Sequence, residues 1–281
     1  MADDFDYCET LVRAADKDRF VAALFAPAPR RRALHALYAF NVELARVREL
    51  AREPMPGEIR LQWWRDVLGG QRSVEAGPVA SALVGTVVRY RLPLDVLSEM
   101  IEARSFDIYD DPMGSLAELE AYAGKTSSAL MRLAAQILND GNEPSLSGAA
   151  ARHAGIAYAL AGLLVAFPMH AGRRQLYVPL DLLRRYGGDP ENVFAGHVTP
   201  ALMAALSDLR DVARAHLSQV PVADIPAALT PAFLPAALVA PMLKRLEQTA
   251  ADPFSTRPLP QWRRQWVLWR AARDSRRIAG G

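Results

Sequence analysis

Two stretches of this chain concentrate side chains that could bind or orient a substrate. The first is Tyr38-Ala39-Phe40-Asn41-Val42-Glu43-Leu44-Ala45-Arg46-Val47-Arg48-Glu49; the second runs from Pro168-Met169-His170 through Arg173-Arg174 to Tyr177-Val178-Pro179. On one continuous helix, Asn41, Ala45 and Glu49 fall on a single stripe at i, i+4 and i+8, while Glu43 and Glu49 each lie one turn from Arg46. Polar groups on an inward stripe need partners, so Asn41 and Glu49 either line a cavity or are held structurally. His170, Arg173 and Arg174 follow a break in an apolar segment. They can hold an anion such as a phosphate or lipid head group, or form only a basic loop at a helix C-terminus. Arg104 and Asp107, at i and i+3, can bridge one another.

Other chemistries lack their residues. The five histidines show no Cys/His metal spacing and no His-Glu-x-x-His pattern. There is no Gly-x-Ser-x-Gly elbow and no glycine-rich phosphate loop ahead of a helix.

The elements that must carry these residues read as helices. Strand alternation is nearly absent, and proline punctuates runs of helical spacing. The spacing predicts helices over 16–26, from Pro29 to Glu53, 58–68 ending at Gly69-Gly70, 79–91, 94–109, and from the Ser115/Glu118 capping box to Leu138. A very apolar helix over 146–167 should be central, followed by helices over 200–219, 231–251 and 260–277. Short connections without a repeat or linker imply a single all-α bundle spanning 1–281. Gly155, Gly162 and Pro168 should interrupt the longest apolar run before it could cross a bilayer.

The 281 residues carry 33 basic and 31 acidic side chains and are 51% hydrophobic, which excludes a disordered tail and disfavours nucleic-acid binding. Three of the basic residues are lysines and 30 are arginines. Cys8 is the sole cysteine and fits a reducing compartment. Asp3, Asp4, Asp6 and Glu9 are unlike a signal or transit peptide, so a cytoplasmic location is expected. Trp262, Trp266 and Trp269 recur among arginines near the C-terminus. They can pack on the bundle with arginines facing water, or lie in a membrane interface.

These strings, with Ile59-Arg60-Leu61-Gln62-Trp63-Trp64-Arg65-Asp66 and the 155–179 region, resemble the squalene/phytoene synthase family over nearly the whole chain. The resemblance implies an isoprenoid-synthase-type helical bundle whose central cavity joins two prenyl diphosphates head to head. It also implies magnesium held by Asp-x-x-x-Asp pairs on two facing helices, which stabilises the leaving diphosphate. Here the first pair falls on Ala45 and Glu49 and the second on Ala166 and His170; a further Gln and Asn of the family fall on Ala159 and Gly162. Alanine offers no ligand, so the expectation is a non-catalytic relative without a cofactor or metal.

Three strings resemble more closely a diverged branch of that family, whose members assist assembly of the respiratory NADH dehydrogenase (complex I). They are Ala39-Phe40-Asn41-Val42-Glu43-Leu44-Ala45, Leu119-Glu120-Ala121-Tyr122-Ala123 with Thr126-Ser127-Ser128, and Pro168-Met169-His170-Ala171-Gly172-Arg173-Arg174. The implied partner is a complex I subunit or assembly intermediate, with a prenyl or lipid ligand in the old cavity; the tryptophans and arginines near the C-terminus add the alternative of peripheral contact with the inner membrane. The candidate cavity or anion-binding residues are Asn41, Glu43, Glu49, Arg104, Asp107, His170, Arg173, Arg174 and Tyr177. The alternative is an active prenyltransferase using Mg2+ at an unusual site built from Glu49, Arg104, Asp107, His170, Arg173 and Arg174. With aspartates gone and arginines kept, any surviving ligand should be an anion bound without magnesium.

Overall fold

Prolines and short polar caps set where the helices of this chain begin. The computed structural model describes residues 3–50, 53–71, 77–144, 147–248 and 251–279, and among them there is no β-strand. Asp3 opens α1 (Asp4–Ala15) with a reciprocal capping box to Asp6, and Asp16 caps α2 (Lys17–Leu24) through the Arg19 amide. Proline in the first turn starts α3 (Ala28–Ala45), α5 (Pro54–Leu68) and α6 (Pro78–Tyr90), where its missing N–H costs nothing. Between α3 and α5 lies the four-residue α4 (Val47–Leu50). Then come α7 (Leu94–Ala103), a 3-10 turn over Arg104–Ile108, α8 (Leu116–Ala123) capped by Ser115, a π-helical turn over Gly124–Ser128, and α9 (Ala129–Leu138).

The second half is built on α10 (Ser147–Gly172), followed by α11 (Leu180–Arg185), α12 (Pro190–Phe194) and α13 (Pro200–Ser218). Short helical turns lead to α14 (Thr230–Phe233), α15 (Val239–Gln248) and α16 (Gln261–Arg273).

Two helices form the centre. In α3 every residue from Ala33 to Val42 is buried, so it is wrapped on all sides, chiefly by α1, α6 and α9. α10 packs on α13, α9, α15 and the π turn. Gly155 sets that last distance: a Cβ there would meet the Ser128 backbone nitrogen at 2.5 Å, and the Ser128 hydroxyl donates to the Arg152 carbonyl at 2.9 Å. Of the adjacent Trp63 and Trp64, only Trp64 is fully buried, with its ring edge-on to Phe40.

Several sequence boundaries shift. The helix expected from Pro29 to Glu53 stops at Ala45, because the chain turns at Arg46 before α4; the Asn41/Ala45/Glu49 stripe therefore does not continue to Glu49. The helices expected over 94–109 and from Ser115 to Leu138 each change winding part-way, at Arg104 and at Gly124. The segment expected as one helix over 231–251 is three short pieces up to Gln248, and 249–250 lie outside the described residues. α1, α11 and α12 are additional helices.

α10 runs through Gly155 and Gly162 and continues beyond its expected end at 167, through Pro168 to Gly172. Isolated glycines cost a helix only about 1 kcal/mol each and packing on both sides outweighs that. By length and composition 148–172 and 227–248 could therefore cross a membrane; 50% and 72% of their most apolar windows are buried inside the bundle.

Candidate functional site

The two central helices face each other across a cavity of about 400 Å³. α3 contributes Asn41, Val42 and Ala45, and α10 contributes Tyr158, Ala159, Gly162, Leu163 and Val165. Tyr122, Thr126 and Ser127 enter from α8 and the π turn, Arg19 from α2, Arg104 from the 3-10 turn, Met242 from α15 and Arg264 from α16.

One wall is a buried carboxylate network. Asp107 accepts from the Tyr177 hydroxyl at 2.7 Å and the Tyr122 hydroxyl at 2.8 Å, and Arg104 donates to Asp107 Oδ2 at 2.9 Å and to the Tyr122 oxygen at 2.7 Å. Burial pushes both phenols well above their usual range, Arg104 pulling down and Asp107 reinforcing the rise, so both stay protonated as donors. The backbone delivers Tyr177 to this place. Met113 N–H donates to the Leu176 carbonyl at 2.8 Å, Leu180 N–H to the Met113 carbonyl at 2.8 Å, and the Gln175 amide to the Asp107 carbonyl at 3.1 Å.

The opposite wall is a second pairing. Asp18 is buried and accepts from Tyr158 Oη at 3.1 Å and from Arg264 Nε at 2.8 Å. Arg19 donates to Asp16 at 2.7 Å and lies 5.1 Å from the Tyr158 ring centre.

All four lining arginines are thus partnered: Arg19 with Asp16, Arg104 with Asp107, Arg264 with Asp18, and Arg46 with Glu49 at 3.6 Å. This runs against the expectation of an electropositive cavity selective for anions, because Asp16, Asp107 and Asp18 in the walls balance Arg19, Arg104 and Arg264, and Arg46 is paired with Glu49 outside. What remains for a ligand is neutral. The Asn41 amide makes no hydrogen bond among the described residues, and the buried Ser127 hydroxyl has no partner.

The sequence candidates separate accordingly. Asn41 and Arg104 line the cavity, with Asp107 and Tyr177 directly behind its wall. Glu43 points away to Arg60 at 2.6 Å. Glu49 sits outside, between Arg46 and Arg173, the latter at 3.7 Å. His170 lies against Tyr177 with the two rings tilted by 51° and their centres 4.7 Å apart. Burial there, with Arg173 adding and Asp107 opposing, lowers its pKa to about 4. Arg174 turns the other way, to Glu191 at 2.7 Å and over the Phe194 ring. His170, Arg173 and Arg174 therefore do not converge on one anion. Asp16, Asp18, Arg19, Tyr122, Tyr158 and Arg264 are the cavity residues that sequence reasoning missed. Arg264 had a visible signal, since it shares a face with Leu268 and Ala271 at i+4 and i+7.

Residues 12–270 match the squalene/phytoene synthase family. The chain belongs to that family. Among similar proteins is NADH dehydrogenase (ubiquinone) complex I, assembly factor 6 of Rattus norvegicus, 31% identical over 252 residues, covering 88% of this chain and 75% of the relative. Phytoene synthase of Thermus thermophilus is 28% identical over 220 residues, 76% of this chain and 73% of the relative. A ligand-bound dehydrosqualene synthase superposes with a TM-score of 0.82 over 97% of this chain and 96% of its own, at 15% identity. The fold of the squalene/phytoene synthases is thus retained.

The magnesium that this family implies does not fit the residues present. Ala45, Ala159 and Gly162 bring methyl groups and a bare backbone to the cavity. Among the described residues no three His, Cys, Asp or Glu side chains group as a metal site. A magnesium cluster needs several oxygen ligands in near-octahedral array, and the nearby carboxylates are held by arginine or tyrosine.

Proposed function

We propose that this chain is a non-catalytic squalene/phytoene synthase-like protein that acts in assembly of the respiratory NADH dehydrogenase (complex I). The observation that carries the non-catalytic reading is the set Ala45, Ala159 and Gly162 at the cavity, where the family's chemistry requires oxygen and amide ligands. The partner reading is supported by likeness to complex I assembly factor 6 across 88% of the chain. Within this reading the cavity takes a prenyl or lipid ligand with an uncharged polar head. Asn41 and Ser127 offer the free hydrogen-bonding groups, and Val42, Leu163, Val165 and Met242 the apolar lining.

Deleting the gene should lower NADH dehydrogenase activity and the amount of assembled complex I on native gels while leaving hopanoids and carotenoids unchanged. Purified protein incubated with magnesium and farnesyl or geranylgeranyl diphosphate should give no head-to-head product. Product formation, with NADH dehydrogenase intact in the deletion strain, would overturn the proposal in favour of the prenyltransferase.

A further inference from the structure

We propose that the outward face of α16 is a docking surface for an anionic lipid bilayer. At 100° per residue, Arg264, Leu268 and Ala271 share the face turned to α2 and to the turn over Leu234–Leu238, where Leu268 and Ala271 are fully buried. Trp262, Trp266 and Trp269 fall within an arc of about 60° on the opposite side, together with Arg273. They are 70%, 53% and 36% exposed, and none belongs to the hydrophobic core or to the residues packed directly against it. Trp266 and Trp269 stack on each other at 5.0 Å, and the Arg273 guanidinium lies 3.8 Å from the Trp269 ring centre. Three exposed indoles on one helix face are costly to leave uncovered, and indole is a side chain that favours the boundary between lipid head groups and acyl chains.

Charge complementarity indicates what covers them. A groove of about 450 Å³ beside the ridge is lined by Trp266, Lys244, Arg263, Arg270 and Arg277 together with small apolar residues, and no carboxylate lines it. Lys244, Arg263 and Arg270 make no ion pair with the described residues, unlike the cavity arginines, and α16 itself carries no acid. An aromatic ridge flanked by free cations matches an interface whose apolar layer is capped by phosphates. The near-neutral whole chain, +2 in formal charge, argues against a long polyanion such as nucleic acid as the occupant.

The test is co-sedimentation of the full chain with vesicles of phosphatidylcholine alone or mixed with phosphatidylglycerol. Binding should be at least about tenfold tighter to the mixed vesicles and should weaken with salt, as expected for several basic residues at an anionic surface. Brominated acyl chains should quench part of the tryptophan fluorescence. W262S/W266S/W269S should lose vesicle binding with its melting temperature unchanged, since these rings support no core. Lys244→Gln with Arg263→Gln and Arg270→Gln should abolish the preference for the anionic vesicles. Equal weak binding to both vesicle types, full binding by the tryptophan-free variant, or capture of a protein or nucleic acid by this face without vesicle binding would each overturn the proposal.

Discussion

Arg264 donates through Nε to Oδ1 of Asp18 at 2.8 Å, joining residues 246 positions apart in the chain. The bond fixes the rotation of α16. With Arg264 turned inward to close the cavity, geometry leaves Trp262, Trp266 and Trp269 no direction but outward.

Removing one partner of this buried pair should be costly. Asp18→Asn leaves Arg264 without its countercharge and weakens the acceptor of the Tyr158 hydroxyl, so a loss of about 3 kcal/mol is expected in urea unfolding. A double-mutant cycle with Arg264→Gln should show coupling above about 1 kcal/mol. Additivity of the two losses would mean that the pair is incidental.

Asp107 is held by two phenols and a guanidinium, and its replacement should be worse than loss of either phenol. Tyr177→Phe removes one charge-assisted bond, about 1.5–3 kcal/mol, and Tyr122→Phe removes two, the one to Asp107 and the one from Arg104, whereas Asp107→Leu strands Arg104 and both hydroxyls and should cost more than about 3 kcal/mol. Thermal and urea unfolding of the three variants would rank them.

At Gly155 two effects oppose one another. Alanine favours a helix by about 1 kcal/mol over glycine, yet its Cβ would strike the Ser128 backbone at 2.5 Å, and overpacking costs about 1–3 kcal/mol. Because a backbone atom cannot swing aside, the clash should win: Gly155→Ala should lower the melting temperature and Gly155→Val should prevent folding. Gly148, with open space around it, is the control where Ala should be neutral or stabilising.

The His170 imidazole should titrate near pH 4 by NMR, against an ordinary value of 6.5. Its folded pKa is lowered, so below pH 6.5 the unfolded chain takes up the proton first. The stability this neutral histidine contributes is complete above pH 6.5 and is lost as pH falls toward 4. His35 and His153, also lowered by burial, act in the same sense. The difference between wild type and His170→Gln should therefore be flat above pH 7 and change through that window.

The helical bundle was legible because proline, glycine and capping residues mark helix ends locally: Gly69-Gly70, Ser115 and Pro200 each stop or start a helix where expected. The Arg104–Asp107 bridge was legible for the same reason, being one turn apart. Asp18–Arg264 was not, since nothing in a single sequence pairs residues so far apart. Glu49 misled because the stripe argument assumes an unbroken helix, and the turn at Arg46 carries Glu49 out of register. The arginine excess misled as well. Counting charges does not show that Asp16, Asp18 and Asp107 are folded back onto the arginines nearest to them.

The π turn at Gly124–Ser128 holds one residue more than an α-helical turn would. The bulge absorbs that residue, so α8 and α9 keep nearly the phase of one regular helix, and Tyr122 still reaches Asp107 while Ser128 reaches Arg152. A segment of this kind takes up a change of chain length that a regular helix would pass on to everything beyond it as a rotation of about 100°.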